Sequence, residues 1–234
     1  RMNKLRTEKD LKTPTVSRHL VFVGNPGTGK TTVARLVAGI YRALGLLEKG
    51  DLVETDRSGL VAGYVGQTAI KTRAVIDKSL GSVLFIDEAY ALAGDNFGEE
   101  AVATLVKGIE DHRDELVVIV AGYPAEMQEF IDTNPGLESR FGTTILFADY
   151  SDDELVAIFR KLAGGSDFEP TTACLDRVRE LISLEPRDTG FGNGRFARNL
   201  FEKAVAHHAW RLRDKPEPSL DDLRRLEAED LSPA

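Results

Sequence analysis

Leu20-Val21-Phe22-Val23-Gly24-Asn25-Pro26-Gly27-Thr28-Gly29-Lys30-Thr31-Thr32 is the stretch on which the fold turns. Four apolar residues followed by G-x-x-x-x-G-K-T read as a short buried strand, a glycine-rich loop and a helix that opens at Lys30. The glycines let successive backbone N–H groups turn inward around an anion, and the helix start adds the positive end of its dipole. In such a loop the Lys30 ammonium reaches the β- and γ-phosphates of a nucleotide, and the Thr31 hydroxyl ligates Mg²⁺. Asn25, Pro26, Gly27, Thr28, Gly29, Lys30, Thr31 and Thr32 are therefore the candidate nucleotide-binding residues. A plain glycine-rich turn is the competing reading, and the strand-loop-helix context disfavours it.

Outward from this loop, Val83-Leu84-Phe85-Ile86-Asp87-Glu88 is the second signal. A buried strand delivers two carboxylates to its C-terminal end, the edge at which open α/β sheets bind ligands. Asp87 is the candidate to hold Mg²⁺, and Glu88 the candidate to polarise an attacking water. Taken alone, the pattern would equally describe a strand running into a capped helix. Further strands are expected at 52–55, 116–121 and 144–147, separated by helical spacing over 30–44, 68–80, 99–111 and 125–132. Val-, Ile- and Leu-rich strands alternating with helices predict a parallel sheet covered on both faces. Near Asp149 the pattern changes, and only helical segments follow, at 152–163, 174–184 and 196–213 with a short stretch at 220–227. Ser151-Asp152-Asp153-Glu154 opens the first of them with capping oxygens and acids at the positive end. The expected division is an α/β nucleotide-binding domain, 1–148, and a small helical domain, 149–234.

The chain has 234 residues, 42% hydrophobic and 29% charged, with 30 Lys+Arg against 38 Asp+Glu for a formal net charge of −8. That length supports a medium domain with a small appendix. The acidic balance disfavours a sequence-blind nucleic-acid binder, which needs a basic surface. Cys174 is the single cysteine, which excludes an internal disulfide and points to a reducing, cytoplasmic compartment. It reads as a small buried residue near a helix start. No apolar run approaches the roughly 18–20 residues that span a bilayer, so no membrane insertion is expected. No leader pattern opens the sequence, and Arg1-Met2 reads as an incomplete N-terminus or a piece of a longer protein.

The phosphate loop, the Asp87-Glu88 pair and the helical appendix together resemble an AAA+ ATPase, with Walker A and Walker B motifs. Five further strings narrow the resemblance to the CbbX/SpoVK/EccA group of red-type rubisco activases, sporulation proteins and type VII secretion ATPases. They are Gly63-Tyr64-Val65-Gly66-Gln67-Thr68, Phe85-Ile86-Asp87-Glu88-Ala89-Tyr90-Ala91-Leu92, Val118-Ile119-Val120-Ala121-Gly122-Tyr123, Gly136-Leu137-Glu138-Ser139-Arg140-Phe141 and Gly192-Asn193-Gly194-Arg195. The resemblance implies an AAA+ P-loop domain with a five-stranded parallel sheet sandwiched by helices, and a C-terminal all-helical lid. It implies ATP and Mg²⁺ as ligands, a ring of identical subunits (a hexamer), and a protein client remodelled or threaded through a central pore. It makes Arg140 an arginine finger acting in a neighbouring subunit, where a guanidinium is worth ~10³–10⁵ in rate. Arg195 becomes the lid arginine called sensor 2, with Arg198 its rival on the same helix face. Tyr123 falls at the sensor 1 position, where Ala121-Gly122-Tyr123 departs from the usual polar residue. Tyr64, Val65 and Gly66 fall in the pore loop, where an exposed aromatic grips passing polypeptide.

Other residues read blandly. Lys71 and Arg73 are expected to be a solvated face and Asp221–Asp230 a solvated acidic surface; His19, His207 and His208 lack companions at metal-ligand spacing. The segment from Ala93 to Phe97 is short beside that of the group. Two other classes compete with the remodelling ATPase. One is a nucleotide-gated assembly scaffold with little turnover, and the other a P-loop phosphotransferase, which would not need the Asp-Glu pair, Arg140 and the lid together. A DNA-directed AAA+ machine is disfavoured by charge.

Overall fold

The computed structural model describes residues 9, 17–64 and 66–231. It divides into two compact units, one made of the chain up to Phe22 with Val33–Ile145, the other of Val23–Thr32 with the chain from Leu146 onward.

The first unit is built on a five-stranded parallel sheet in the order β2-β3-β4-β1-β5. The strands are β1 (Leu20–Val23), β2 (Leu52–Thr55), β3 (Val83–Ile86), β4 (Val117–Gly122) and β5 (Thr144–Leu146). β3 and β4 are buried along their whole length, which explains why both are unbroken apolar runs rather than alternating ones. Leu52 to Thr55 of β2 register on Val83 to Ile86, and Val83 to Ile86 on Val117 to Val120.

The helices of this unit are α1 (Lys30–Ala43), whose residues 30–32 are grouped with the second unit, α2 (Arg57–Leu60), α3 (Gln67–Lys78), α4 (Asn96–Asp111), α5 (Pro124–Asp132) and α6 (Pro135–Glu138), with a 3₁₀ turn at Ala89–Leu92. Their starts follow capping chemistry. Asp56 accepts from the Gly59 N–H, Asp95 from the Gly98 N–H, and Asn134 from the Gly136 and Leu137 N–H groups. Capped by Asp95, α4 begins at Asn96, three residues before the helical spacing becomes visible at Glu99.

The second unit carries α7 (Asp152–Gly164), α8 (Thr172–Leu184), α9 (Gly194–Leu212) and the short α10 (Leu220–Arg224). Ser151 and Glu154 form a reciprocal capping box at α7. The core gathers Leu155, Phe159, Val178, Ile182, Ala204 and Leu226, all fully buried. Cys174 is buried with them, as its place near the helix start predicts, and burial pushes its thiol up to about 12.

Two expectations for this half are corrected. It is not wholly helical: β6 (Glu169–Pro170) and β7 (Arg225–Leu226) form a parallel two-residue pair, too short to leave any periodicity in the sequence. Nor is the acidic tail wholly solvated. Asp230 is buried, accepts from Arg211 Nε at 2.8 Å and Nη2 at 3.0 Å, and takes the Glu227 N–H at 2.8 Å. A buried carboxylate needs such partners to offset its lost hydration.

Candidate functional site

Within the second unit the phosphate loop closes on itself. Gly24, Gly27 and Gly29 have φ of 150°, 70° and 91°. Thr28 Oγ1 donates to the Asn25 carbonyl at 2.8 Å. Lys30 Nζ donates to the carbonyls of Gly24 at 2.7 Å and Asn25 at 2.8 Å. These charge-assisted bonds hold the ammonium against the loop that it would serve.

The same unit brings the loop against the chain around Asp149 and the start of α9. Asn25 Nδ2 donates to both carboxylate oxygens of Asp149, at 3.0 and 3.1 Å, and to the Asp188 carbonyl at 3.3 Å. Asn25 Oδ1 accepts from the Gly190 N–H at 3.0 Å. Tyr150 Oη donates to the Thr28 carbonyl at 3.0 Å, and the Gly194 N–H to the Gly27 carbonyl at 3.1 Å. A Cβ on Gly27 would collide with the Gly192 carbonyl and come within 2.8 Å of the Arg195 nitrogen, so glycine is required there for close approach as well as for its φ. Arg195 is the second residue of α9 and is exposed, as is Arg198; the backbone at Arg195, not that at Arg198, meets the loop.

Asn193 is fully buried and sits at φ 48°, ψ −122°, a conformation costing of order 1–3 kcal/mol for a residue with a side chain. Its side chain is fully engaged: Nδ2 donates to Asp149 at 2.7 Å and the Phe191 carbonyl at 3.0 Å, and Oδ1 accepts from the Tyr150 N–H at 2.8 Å. Sequence reading passed over Asn193, Asp149 and Tyr150 as site residues. Asn193 lies inside a string already singled out, but Asp149 and Tyr150 are more than 40 positions away in the chain, and no local signal announces them.

In the first unit, Asp87 leaves β3 half-buried, its N–H donating to the Thr55 carbonyl at 2.9 Å and its Oδ1 accepting from the Glu88 N–H at 3.1 Å. Glu88 is exposed and adopts φ 48°, ψ 44°. A glutamate held in the left-handed region is a strained residue of the kind that clusters at active sites. It lines an open depression of about 570 Å³ together with Asp56, Arg57, Ser58 and Phe97. Arg57 braces this wall, donating to the Ala91 carbonyl at 2.8 Å and pairing with Asp95 at 2.6 Å.

Tyr123 is half-buried at the start of α5, its ring 6.1 Å from that of Tyr90. Gly122 has no room for a side chain, because a Cβ would lie 2.7 Å from the Tyr90 ring. Burial first, and then the charge of Glu88, push the Tyr90 hydroxyl up to about 12.

Arg140 follows α6 and is turned onto its own unit, its side chain 25% exposed. Nη1 donates to the Gly136 carbonyl at 3.0 Å and Ser139 Oγ at 3.2 Å, while Nη2 pairs with Glu110 at 3.0 Å. Tyr64 is 74% exposed, and so does not fold back onto its unit. Gly66 sits at φ 80° at the start of α3; Val65, the third pore-loop candidate, lies outside the described residues. Lys71 is exposed, as a solvated face would be, yet its Nζ donates to the Ser58 and Val61 carbonyls at 2.7 and 3.0 Å, tying α3 to the chain that leads into this loop.

Comparison with known proteins agrees with this architecture. Residues 20–148 match the family described as ATPases associated with various cellular activities (AAA), and residues 151–234 match the AAA lid domain. The chain belongs to the AAA ATPase family. Among curated proteins, this AAA ATPase is 42% identical to stage V sporulation protein K of Bacillus subtilis (strain 168), over 99% of the chain and 74% of that relative. It is also 42% identical to ESX-1 secretion system protein EccA1 of Mycobacterium leprae (strain TN), over 100% of the chain and 44% of that relative. The AAA ATPase thus spans about three quarters of one relative and less than half of the other, within the CbbX/SpoVK/EccA group that its motifs resemble. Among solved structures, the AAA domain of FIGL-1 in complex with ADP covers 97% of this chain and 73% of its own, with a TM-score of 0.65 at 23% identity, a likeness of fold. No helix among the described residues is long and apolar enough to cross a membrane.

Proposed function

We propose that this AAA ATPase binds ATP with Mg²⁺ at residues Asn25 to Thr32, hydrolyses it with Glu88 as general base, and uses the cycle to remodel or thread a protein client. Family membership supports nucleotide binding. The observation that carries hydrolysis is Glu88: an exposed carboxylate kept in a strained backbone conformation where a buried strand turns into the 3₁₀ segment. In parallel α/β sheets ligands bind at the carboxyl ends of strands. Both the loop after β1 and the acids after β3 follow such ends.

Thr31 and Asp87 offer a hydroxyl and a carboxylate oxygen, hard donors of the kind Mg²⁺ takes. When bound, the ion would neutralise phosphate charge. Lys30 would hold the β/γ-phosphates, Tyr123 would lie toward the γ-phosphate, and Arg195 would reach the nucleotide from the lid. We propose the functional division at 148/149, with the nucleotide-binding domain before it and the lid after it. A ring of identical subunits, a hexamer in a cytoplasmic setting, would receive Arg140 from a neighbour, and Tyr64 to Gly66 would line its pore. The net charge of −8 supports a protein client over nucleic acid.

Glu88→Gln tests the chemistry. The amide keeps the shape but accepts no proton, so ATP stays bound while turnover falls by ~10²–10⁴. A fall of less than about tenfold would show that Glu88 is not the base. A nucleotide-gated scaffold is the second reading, favoured by the anchoring of Arg140 on Glu110 within its own subunit. Negligible ATP turnover by an assembled wild-type ring would establish it.

A further inference from the structure

We propose that Asn25 is a positioning residue that couples nucleotide occupancy of the phosphate loop to the first turn of α9, through Asp149 and Asn193. The inference rests on the ATP-binding reading above and adds to it a route by which the loop controls the lid. Asn25 is where two sets of bonds meet. Its backbone carbonyl accepts from Lys30 Nζ and Thr28 Oγ1, both at 2.8 Å. Its side chain, a few atoms away, spends its amide nitrogen on Asp149 and the Asp188 carbonyl, and its oxygen on the Gly190 N–H.

From Asp149 the path continues to Asn193 Nδ2 at 2.7 Å, and Asn193 immediately precedes the helix that carries Arg195. Asn193 is fully buried in a conformation that glycine would adopt with less strain. Keeping an asparagine there retains three hydrogen bonds that glycine could not make. Arg187 secures the same corner, pairing with Asp152, donating to the Tyr150 carbonyl at 2.6 Å and stacking 4.2 Å over Phe191. A phosphate that draws the Lys30 ammonium toward itself changes what the Asn25 carbonyl accepts. Because the side chain of that residue is tied to Asp149 and to residues 188–190, the displacement is passed to the start of α9. A network with its donors and acceptors matched shifts as a body, since breaking one bond strands a polar group.

The test uses the full chain, ADP as probe, and hydrogen exchange read on the amides of residues 188–196. In the wild type, saturating ADP slows their exchange by about tenfold or more. Asn25→Asp sets two carboxylates against each other and loses this ADP-dependent protection. Asp149→Ala removes the shared acceptor without adding charge and loses it too, which keeps the test usable if Asn25→Asp fails to fold. The exchanged pair Asn25→Asp/Asp149→Asn restores an amide–carboxylate contact with donor and acceptor swapped, and regains the protection. A purely structural role predicts the opposite, with lower thermal midpoints in the single variants but full ADP-dependent protection at saturation. That result, or failure of the swap to recover it, overturns the coupling while leaving ATP binding intact. Absence of ADP binding in the wild type overturns both.

Discussion

His19, Glu88 and Asn193 are each held in a state that water alone would not favour, and each does so for a different reason. Glu88 and Asn193 carry backbone strain at φ 48°, one exposed at a strand end and the other buried in a hydrogen-bond network. His19 carries a displaced proton equilibrium. It is buried beside β1, its Nδ1 accepts the Val118 N–H at 3.0 Å, and its ring lies 5.6 Å from that of Phe141. Burial, and then the charges of Arg140 and Arg18, push its imidazole down to about 4. The folded value lies below the unfolded one of about 6.5, so only the unfolded chain takes up the proton between them. The stability held by neutral His19 is therefore complete above pH ~6.5 and is lost as the pH falls toward 4, by about 3 kcal/mol in all. Urea unfolding at pH 7 and pH 5 checks this: the wild type loses about 2 kcal/mol more over that interval than His19→Gln, which retains an acceptor oxygen. Equal losses in the two proteins would count against it.

At the scale of elements, the proposed pore loop is the chain between α2 and α3. Lys71 secures its base through two carbonyls, while Tyr64 stands exposed near its tip. If the tyrosine grips polypeptide, Tyr64→Ala keeps basal ATP turnover and stability within about 0.5 kcal/mol, as surface substitutions do. It would lose the stimulation of turnover by an unstructured polypeptide, and Tyr64→Phe would keep most of it, because the packing area survives. A core tyrosine would instead leave a cavity costing ~3–5 kcal/mol on truncation. A destabilised, hydrolysis-poor Tyr64→Ala would refute the pore assignment.

Element lengths also explain which parts of the fold were readable. β3 and β4 are unbroken apolar runs, and the long helices show their period. α2, α6, β6 and β7 span two to four residues, about one repeat of their own pattern, so no periodicity shows and they emerge only from caps and pairing. The burial of Asp230 escaped notice for a related reason: Arg211, the cation that pairs with it, lies 19 positions away.

At the scale of the whole molecule, Arg140 bears directly on assembly. Within its own subunit it is committed to Glu110 and Gly136, so service to a neighbour requires it to leave those contacts. Mixing inactive Lys30→Ala with inactive Arg140→Ala tests that service. In a ring with heterologous interfaces, some interfaces pair an intact phosphate loop with an intact Arg140, and ATP turnover returns in part. Co-assembly without recovered turnover would assign Arg140 to its own subunit.

The sequence by itself determined the layered α/β architecture, the mainly helical second half, the phosphate loop and the acidic strand end. Each of these is written in neighbouring residues, as a period, a cap or a fixed spacing. Tertiary structure alone decided that Asn25 reaches Asp149 and Gly190, that Asn193 is buried between Asp149 and Tyr150, and that Arg140 turns onto Glu110. Those bonds join residues 30 to 165 positions apart. A hydrogen bond depends on distance in space, and an asparagine carries the same local pattern whether it faces water or completes a buried network.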